Sequence, residues 1–223
     1  MAQDPDADVR RLAGPSLQAG DPTGWFEQLY AAAPEGAVVP WDRHGPNPLL
    51  VDWGIRQGLD GWGRRAMVVG CGFGDDANFL AERGFSTTAF DISMSATTAA
   101  AQRFPDSDIR WRNANLLDLP PAWLAAYDLV FESMTVQSMP EDLHPAATAA
   151  VASLVAPGGT LLVVAAGRDA DEPVATGPPW PLTETEVRAF AQRHLAISGV
   201  EDHRDPARPA FRRWRAWLHH PSG

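Results

Sequence analysis

The chain has 223 residues, of which 45% are hydrophobic and 21% charged, a composition typical of one globular domain. Its formal net charge of -10 argues against nucleic acids or acidic membranes as partners, because phosphate groups require a basic surface. No apolar run approaches the roughly 20 residues of a membrane helix, and a single cysteine permits no internal disulfide. We therefore expect a cytoplasmic protein, a monomer or homodimer, without a nucleic-acid or membrane partner.

The N-terminal quarter of the chain divides into two predicted parts. Residues 1–22 are rich in Asp, Pro, Gly and Ala, and such a segment gains too little from burial to become ordered, so we expect a flexible tail. The domain proper is expected over residues 23–223, beginning with a lid segment over residues 23–60. In this lid, one helix should begin near Thr23 and a second should cover residues 49–59.

Short apolar runs alternate with helical patterns after the lid segment. The predicted strands cover residues 66–69, 85–90, 109–111, 127–132 and 161–165. The predicted helices between them cover residues 75–83, 93–103 and 142–155, the last one stopped by Pro157-Gly158-Gly159. This alternation predicts an α/β, Rossmann-like, doubly wound and mostly parallel sheet with helices on both faces.

The C-terminal pattern differs from the rest. After a helix over residues 183–193, two strand patterns at 195–200 and 211–218 follow each other without a helix between them. They predict an antiparallel hairpin that completes a seven-stranded sheet. The arginine-rich stretch 204–215 is interleaved with proline and aromatic residues, which favours a solvated strand face over a nucleic-acid site.

A glycine-rich turn, residues 70–74 (Gly-Cys-Gly-Phe-Gly), joins the first strand to a helix that begins with Asp75 and Asp76. Glycines there let the backbone approach a ligand and expose the N–H groups of the helix start. Nicotinamide, flavin and S-adenosylmethionine (SAM) proteins share such turns, but the dinucleotide fingerprint needs a glycine where Asp75 stands. Two carboxylates also suit the sulfonium and ammonium of SAM better than a pyrophosphate. The turn therefore favours SAM over NAD.

Asp91 ends the second strand, about 20 residues beyond the glycine turn, where a carboxylate can accept hydrogen bonds from both ribose hydroxyls. Alternatively, Asp91 caps the helix that begins near Ser93. Ile92 would pack on the adenine, while Asn115 would either meet the adenine edge or cap its own loop. The expected cofactor contacts are Trp25, Trp41, Gly70, Cys71, Gly72, Gly74, Asp76, Asp91, Ile92, Ser93, Asn115, Leu116 and Glu132.

Glu132 ends the fourth strand, where ligands of open α/β sheets bind. It could contact the SAM ammonium, accept a proton from the methyl acceptor as a catalytic base, or bind neighbouring loop amides. The expected acceptor-pocket residues are Trp41, His44, Ser133, Met134 and Gln137. No spacing of histidines resembles a metal site, so no metal is expected.

With these motifs, the chain resembles class I SAM-dependent methyltransferases, and within them the thiopurine, thiol and halide S-methyltransferase branch. The resemblance rests on segments 25–30 with 40–49, 68–76, 90–93 and 178–183. Val68 stands where most class I enzymes have an acidic residue and this branch has an apolar one. In this branch, the lid segment folds over the cofactor and helps to close the acceptor pocket. Ser133 departs from the thiopurine enzymes, which often have arginine there, and this puts thiopurine itself in doubt as the acceptor.

The resemblance implies transfer of a methyl group from SAM to a small-molecule acceptor, with a thiol or another soft nucleophile favoured. An O- or N-methyltransferase that modifies a secondary metabolite is the alternative on the same scaffold. A nicotinamide- or nucleotide-binding protein without methyl transfer, and a SAM-binding regulator without an acceptor site, are the alternatives of other classes.

Overall fold

The computed structural model describes residues 7–173, 177–192, 194–205 and 208–222. Within these residues one sheet has seven strands: β1 (Arg65–Val69), β2 (Ser86–Asp91), β3 (Arg110–Asn113), β4 (Tyr127–Ser133), β5 (Val155–Ala166), β6 (Ala196–Asp205) and β7 (Arg208–His219). Their order is β3-β2-β1-β4-β5-β7-β6. Strands β1 to β5 are parallel, and β7 is antiparallel to both β5 and β6. The predicted mostly parallel sheet with an antiparallel hairpin is confirmed.

Helices cover the sheet and one end of it. They are α1 (Ala7–Gln18), α2 (Gly24–Ala32), α3 (Pro48–Arg56), α4 (Asp75–Glu82), α5 (Met94–Arg103), α6 (His144–Ser153) and α7 (Glu184–Arg188). Short 3₁₀ turns add to these, including Glu141–Leu143 directly before α6. No helix in the described ranges is long and apolar enough to cross a membrane.

Strand β1 shows why the centre of the sheet is apolar throughout. Met67 and Val69 belong to the hydrophobic cluster on one face, which includes residues of α6 and α7. Ala66 and Val68 belong to the cluster on the other face, which includes residues of α3 and α4. Side chains of a strand alternate between faces, so a strand covered on both sides needs apolar residues at every position.

The expectation of a flexible tail over residues 1–22 is wrong for most of that segment. Residues 1–6 lie outside the described part of the chain, but α1 follows directly. Val9 and Ala13 of α1 are buried in a cluster with Trp25 of the lid helix α2. The segment has too few large apolar side chains to form a core alone, and packing against α2 supplies the apolar contacts that it lacks.

Two element boundaries also differ from the prediction. Pro157 and its two following glycines do not end α6 but lie in the first half of β5, where the register with β4 shifts between Tyr127 and Leu129. The last predicted helix is shorter, because α7 ends at Arg188 and the chain then turns around the buried Phe190. The strand assignment of Pro157 and these glycines follows from pairing with β4 rather than from local sequence.

The arginines of the C-terminal hairpin are paired with carboxylates rather than simply solvated. Arg212 binds Asp202 and Asp169, with N–O distances of 2.9 and 2.6 Å. Arg215 is fully buried and binds Asp52 of α3 at 2.7 Å as well as Glu201. The hairpin is thereby tied to the lid segment, and the expectation of a solvated strand face is wrong for Arg212 and Arg215.

Candidate active site

A cavity of about 1000 Å³, its open mouth included, lies at the carboxyl ends of the parallel strands. The strand order reverses between β1 and β4, and this is where open α/β sheets bind their ligands. The floor comes from the glycine turn after β1 and from the end of β2. The opposite wall comes from the lid segment and the loop after β4.

The glycine turn requires glycine for backbone and for packing reasons. Gly70, Gly72 and Gly74 have φ values of +60°, +51° and +90°, a region that other residues rarely adopt. A Cβ on Gly70 would lie 2.2 Å from the Thr135 hydroxyl oxygen, and one on Gly74 would lie 2.5 Å from the Trp111 ring. Gly70 and Gly72 thus keep the turn close to the cavity, whereas Gly74 also lets α4 approach β3.

Asp91 joins this turn to the next helix. Its carboxylate is buried and accepts hydrogen bonds from the Gly72 N–H at 3.0 Å and the Ser93 N–H at 2.9 Å. Burial raises the pKa of Asp91 to about 6, against the lowering effect of these amides, so the group remains ionised at neutral pH. Asp91 therefore orders the start of α5 and also presents a charged acceptor on the cavity wall.

The acidic pair at the start of α4 has two different environments. Asp75 binds the Arg103 guanidinium at 2.6 Å, so its charge is offset. Asp76 is half-buried, accepts a hydrogen bond from the Asn47 N–H at 2.6 Å, and has its pKa raised to about 6 by desolvation. Because Asp76 retains its charge at neutral pH, it is the member of the pair that favours a cationic ligand.

The predicted adenine contacts lie together on the cavity wall. Ile92, Asn115 and Leu116 follow β2 and β3 in neighbouring positions of the sheet. Asn115 also accepts a hydrogen bond from the Leu117 N–H at 2.9 Å through its side-chain oxygen, so it orders its own loop. Asn115 also lines the cavity, so its side-chain amide is within reach of a bound ligand.

The lid contributes aromatic rings to the wall. Trp41 donates a hydrogen bond of 2.6 Å from its indole N–H to the Tyr30 hydroxyl. This hydroxyl lies close to the glycine turn, since a Cβ added to Gly72 would be only 2.8 Å from it. Phe26 lies beside them, with its ring centroid 6.5 Å from that of Trp41. Trp25, in contrast, is fully buried behind Phe26 and lies outside the wall, because it forms the core between α1 and α2.

Arg103 of α5 fastens the lid to the glycine turn, although nothing in its own pattern predicted this. Its guanidinium binds both oxygens of Asp42 at 3.1 and 2.9 Å and also binds Asp75. Burial acts to raise the pKa of Asp42, but the hydrogen bonds from Arg103 and the His44 N–H, together with the charge of Arg103, lower that pKa overall. The guanidinium also lies 4.7 Å from the centroid of the Phe73 ring. One cation thus connects the lid, α4 and the turn.

Glu132 lies outside the cavity wall, which corrects its expected role as a base. Its side chain is buried, and one oxygen accepts hydrogen bonds from the Thr135 N–H at 2.8 Å and the Val136 N–H at 3.1 Å. Burial raises its pKa to about 7, and the second oxygen has no hydrogen-bond partner within the described residues. Of the alternatives considered, binding of neighbouring loop amides is the one observed.

The loop that Glu132 holds forms the acceptor side of the wall. Ser133, Met134 and Met139 line it. Met134 has φ +66°, an uncommon conformation for a residue with a side chain, at the point where β4 ends. The Ser133 hydroxyl accepts a hydrogen bond of 3.0 Å from the Asn47 side chain, which connects this loop to the lid.

Three other predicted site residues lie outside the wall, two of them held by structural partners and one exposed. Ser93 caps α5, accepting from the Ala96 N–H and donating to Glu27. Gln137 is fully buried, and its side-chain oxygen accepts a hydrogen bond from the Ala166 N–H of β5. The His44 side chain is 82% exposed and lines a separate outer groove.

Several wall residues were not among the predicted contacts. Tyr30 and Phe26 share the lid helix with Trp25, and their helical spacing was the available signal. Arg43 and Thr135 carry no motif of their own, so only the fold brings them to the cavity. No cluster of three or more potential metal-ligating side chains occurs among the residues that the structure describes.

The sequence matches the thiopurine S-methyltransferase (TPMT) family over residues 25–217. A thiopurine S-methyltransferase of Gluconobacter oxydans is 29% identical over 183 residues, which cover 72% of this chain and 81% of the relative. A 2-heptyl-1-hydroxyquinolin-4(1H)-one methyltransferase of Mycobacteroides abscessus is 25% identical over 181 residues, 78% of each protein. The structure of the N-methyltransferase NodS from Bradyrhizobium japonicum WM9, in complex with S-adenosylhomocysteine, has a TM-score of 0.67 at 21% identity, covering 88% of this chain and 100% of that one.

The fold and the glycine-turn site define a class I methyltransferase. The chain belongs to the thiopurine S-methyltransferase family and is a SAM-dependent methyltransferase of small molecules. The residues present fit this cofactor. The buried, ionised Asp91 suits hydroxyl donors, Ile92 and Leu116 suit a flat heterocycle, and the charge of Asp76 suits a cationic end.

Proposed function

We propose that the protein is an S-methyltransferase whose acceptor is a thiol or another soft nucleophile that ionises without help from the enzyme. The observation that carries this proposal is the absence of a free base on the described part of the cavity wall. Thiols ionise near pH 8.5, whereas phenols do so near pH 10, each an approximate value in model compounds. A site without a base therefore favours the thiol.

Each carboxylate on the wall is bound by a neighbouring group, and Asp76 and Asp91 are also the two that we assign to the cofactor. Asp42 and Asp75 bind Arg103, Asp76 accepts from a main-chain amide of the lid, and Asp91 accepts from two amides. No histidine lines the described wall, and Glu132 is directed to its own loop. Burial raises the pKa of the Cys71 thiol well above its usual range, so this cysteine does not serve as a nucleophile at neutral pH.

The residues of the protein would act by binding the cofactor and orienting the acceptor. The glycine turn, Asp91, Ile92 and Asn115 would hold the cofactor, which supplies an electrophilic methyl group when bound. The lid rings of Phe26 and Trp41 would exclude water and align the acceptor with that methyl group in a direct displacement. The acceptor sulfur would lose its proton to solvent before it enters the reaction.

Transfer to oxygen or nitrogen is the second candidate. The relative from Mycobacteroides abscessus is named as a methyltransferase of an N-hydroxyquinolone. An acidic hydroxyl of that kind shares with a thiol the ability to ionise near neutral pH. It would therefore suit the same wall without a base.

A labelled-methyl assay separates these candidates. The purified protein is incubated with labelled SAM and a panel of aryl and alkyl thiols, N-hydroxy heterocycles, phenols and amines. We expect turnover of thiols at the highest kcat/KM. Turnover confined to hydroxyl or amine acceptors would overturn the S-methyl proposal, while calorimetric binding of S-adenosylhomocysteine would report separately that the cofactor site is intact.

A further inference from the structure

The mouth of the cavity presents one basic side chain, that of Arg43. The other charged residues of the described wall are the four carboxylates of Asp42, Asp75, Asp76 and Asp91. In the described ranges the Arg43 guanidinium forms neither a hydrogen bond nor an ion pair, although its charge contributes to lowering the pKa of Asp76. Arg103, the other arginine near this wall, is in contrast occupied by two carboxylates.

The backbone around Arg43 is fixed on both sides. Before it, the Asp42 carboxylate is bound by Arg103, and it also accepts a hydrogen bond of 3.0 Å from the His44 N–H. After it, His44 has φ +52°, which turns the chain sharply and directs the His44 side chain outward. Arg43 lines the cavity and is exposed, so its guanidinium is available to a ligand at the rim.

The wall next to this cation suits a flat, apolar group. Phe26 and Trp41 contribute aromatic faces from the lid, and Met134 and Met139 contribute polarisable side chains from the loop after β4. Ser133 also lines this wall, at the position where the resemblance to thiopurine enzymes leads us to expect an arginine. A positive charge at this pocket therefore comes from the lid rather than from the end of β4.

The negative charge of the wall makes Arg43 important for binding an anionic acceptor. An acceptor with an acidic substituent would be repelled by four carboxylates, of which Arg103 offsets two. A guanidinium binds a carboxylate through two parallel hydrogen bonds and keeps its charge at all working pH values. The rim at Arg43 is where such a substituent would meet a cation while the ring lies between the lid and the loop.

We propose that Arg43 is a specificity residue that binds a carboxylate on a flat aromatic acceptor, so that the preferred substrates are aryl thiols with an acidic substituent. This inference rests on the proposed S-methyl function. It adds to that function the substituent that the enzyme selects and the residue that selects it.

The test compares two aryl thiols that differ in one ring substituent, the anionic carboxylate of 3-mercaptobenzoate and the neutral methyl group of 3-methylbenzenethiol. In Arg43→Ala, we expect the KM of the carboxylate acceptor to rise at least about tenfold and that of the neutral one to change less than about threefold. Arg43→Lys should restore part of the lost affinity, because it keeps the charge but not the two-pronged geometry. Arg65→Ala is the matched control, since Arg65 is an exposed arginine at the amino end of β1, whereas the cavity lies at the carboxyl ends of the strands.

Equal effects of Arg43→Ala on both acceptors, or no effect on either, would overturn the proposal. If the unaltered enzyme turns over no thiol, the S-methyl function itself has failed, and binding decides the role of Arg43. Calorimetry of the protein saturated with S-adenosylhomocysteine should then show tighter binding of 3-mercaptobenzoate than of 3-methylbenzenethiol, with the difference lost in Arg43→Ala. Equal affinity for the two acceptors would contradict the proposed role of Arg43, whether or not the protein methylates thiols.

Discussion

The two walls of the cavity are held by different means. The cofactor wall depends on main-chain conformation, with three glycines at positive φ and amides that converge on Asp91. The acceptor wall depends on side chains, with Arg103 and Asn47 bridging distant segments and the buried Glu132 holding its own loop. A wall built from the main chain tolerates few changes, whereas a wall built from side chains can vary while the fold persists. This difference explains how relatives on one scaffold can differ in acceptor.

The largest effect is expected where the two walls meet, at Gly70. An alanine there must adopt φ +60° and place its Cβ 2.2 Å from the Thr135 hydroxyl oxygen. We expect Gly70→Ala to lower the free energy of unfolding by about 2–4 kcal/mol, from backbone strain plus overpacking. Urea denaturation measures this loss.

Gly58→Ala provides the matched control for that change. Gly58 has nearly the same φ, +59°, but a Cβ there would have nothing within 4 Å. The control should lose only about 1–2 kcal/mol, the conformational part of the effect. Equal losses in the two variants would contradict the contact between the turn and the loop after β4.

The next effect tests the cofactor wall by itself. Asp91→Ala should weaken binding of S-adenosylhomocysteine at least about tenfold, or 1.4 kcal/mol, because a charged acceptor of hydrogen bonds is lost. Burial raises the pKa of Asp91 to about 6, so binding by the unaltered protein should also weaken as pH falls through 6. Titration calorimetry at pH 7.5 and 5.5 measures both, with Asp118→Ala as an exposed control. Unchanged affinity in Asp91→Ala would remove this residue from the site.

The sequence was more informative about the cofactor wall than about the acceptor wall. Glycine spacing and the carboxylate at the end of β2 are local patterns, and Gly70, Gly72 and Asp91 lie on the wall as expected. Gln137 and Glu132 were expected near the acceptor, but both satisfy main-chain amides behind it. Such a choice depends on which amides lie nearby in the folded chain, and no local pattern encodes this.

The same reasoning applies to the N-terminal segment. Its composition indicated disorder, yet α1 packs on the lid, because Val9 and Ala13 find apolar partners on α2. The cation that fastens the lid, Arg103, looked like an ordinary residue at the end of a helix. Contacts between segments that are far apart in sequence were the part that could not be predicted.

The smallest effect on catalysis is expected from Glu132→Gln. A glutamine oxygen can still accept from Thr135 and Val136, so kcat should stay within about threefold, whereas loss of a true general base costs about a hundredfold or more. Steady-state kinetics at pH 7.5 measures this. A hundredfold loss in the variant would assign Glu132 a direct role in proton transfer.

Glu132→Gln should also change how stability depends on pH. Because folding raises the pKa of Glu132 to about 7, its protonated form favours the folded state at acidic pH. That contribution is complete below about pH 4 and is lost as pH rises through 7. Between about pH 4 and pH 7, the urea midpoint should therefore fall less steeply in the variant than in the unaltered protein. Parallel pH dependence of the two midpoints would contradict a raised pKa for the buried Glu132.

The most direct test of a site without a base is the pH dependence of kcat/KM for a series of thiols with different pKa values. We expect the midpoint of the rise in kcat/KM to follow the pKa of each thiol and to be the same in Glu132→Gln. A midpoint that stays near 7 for every thiol and disappears in Glu132→Gln would show that the enzyme supplies the base, and would contradict the proposed mechanism.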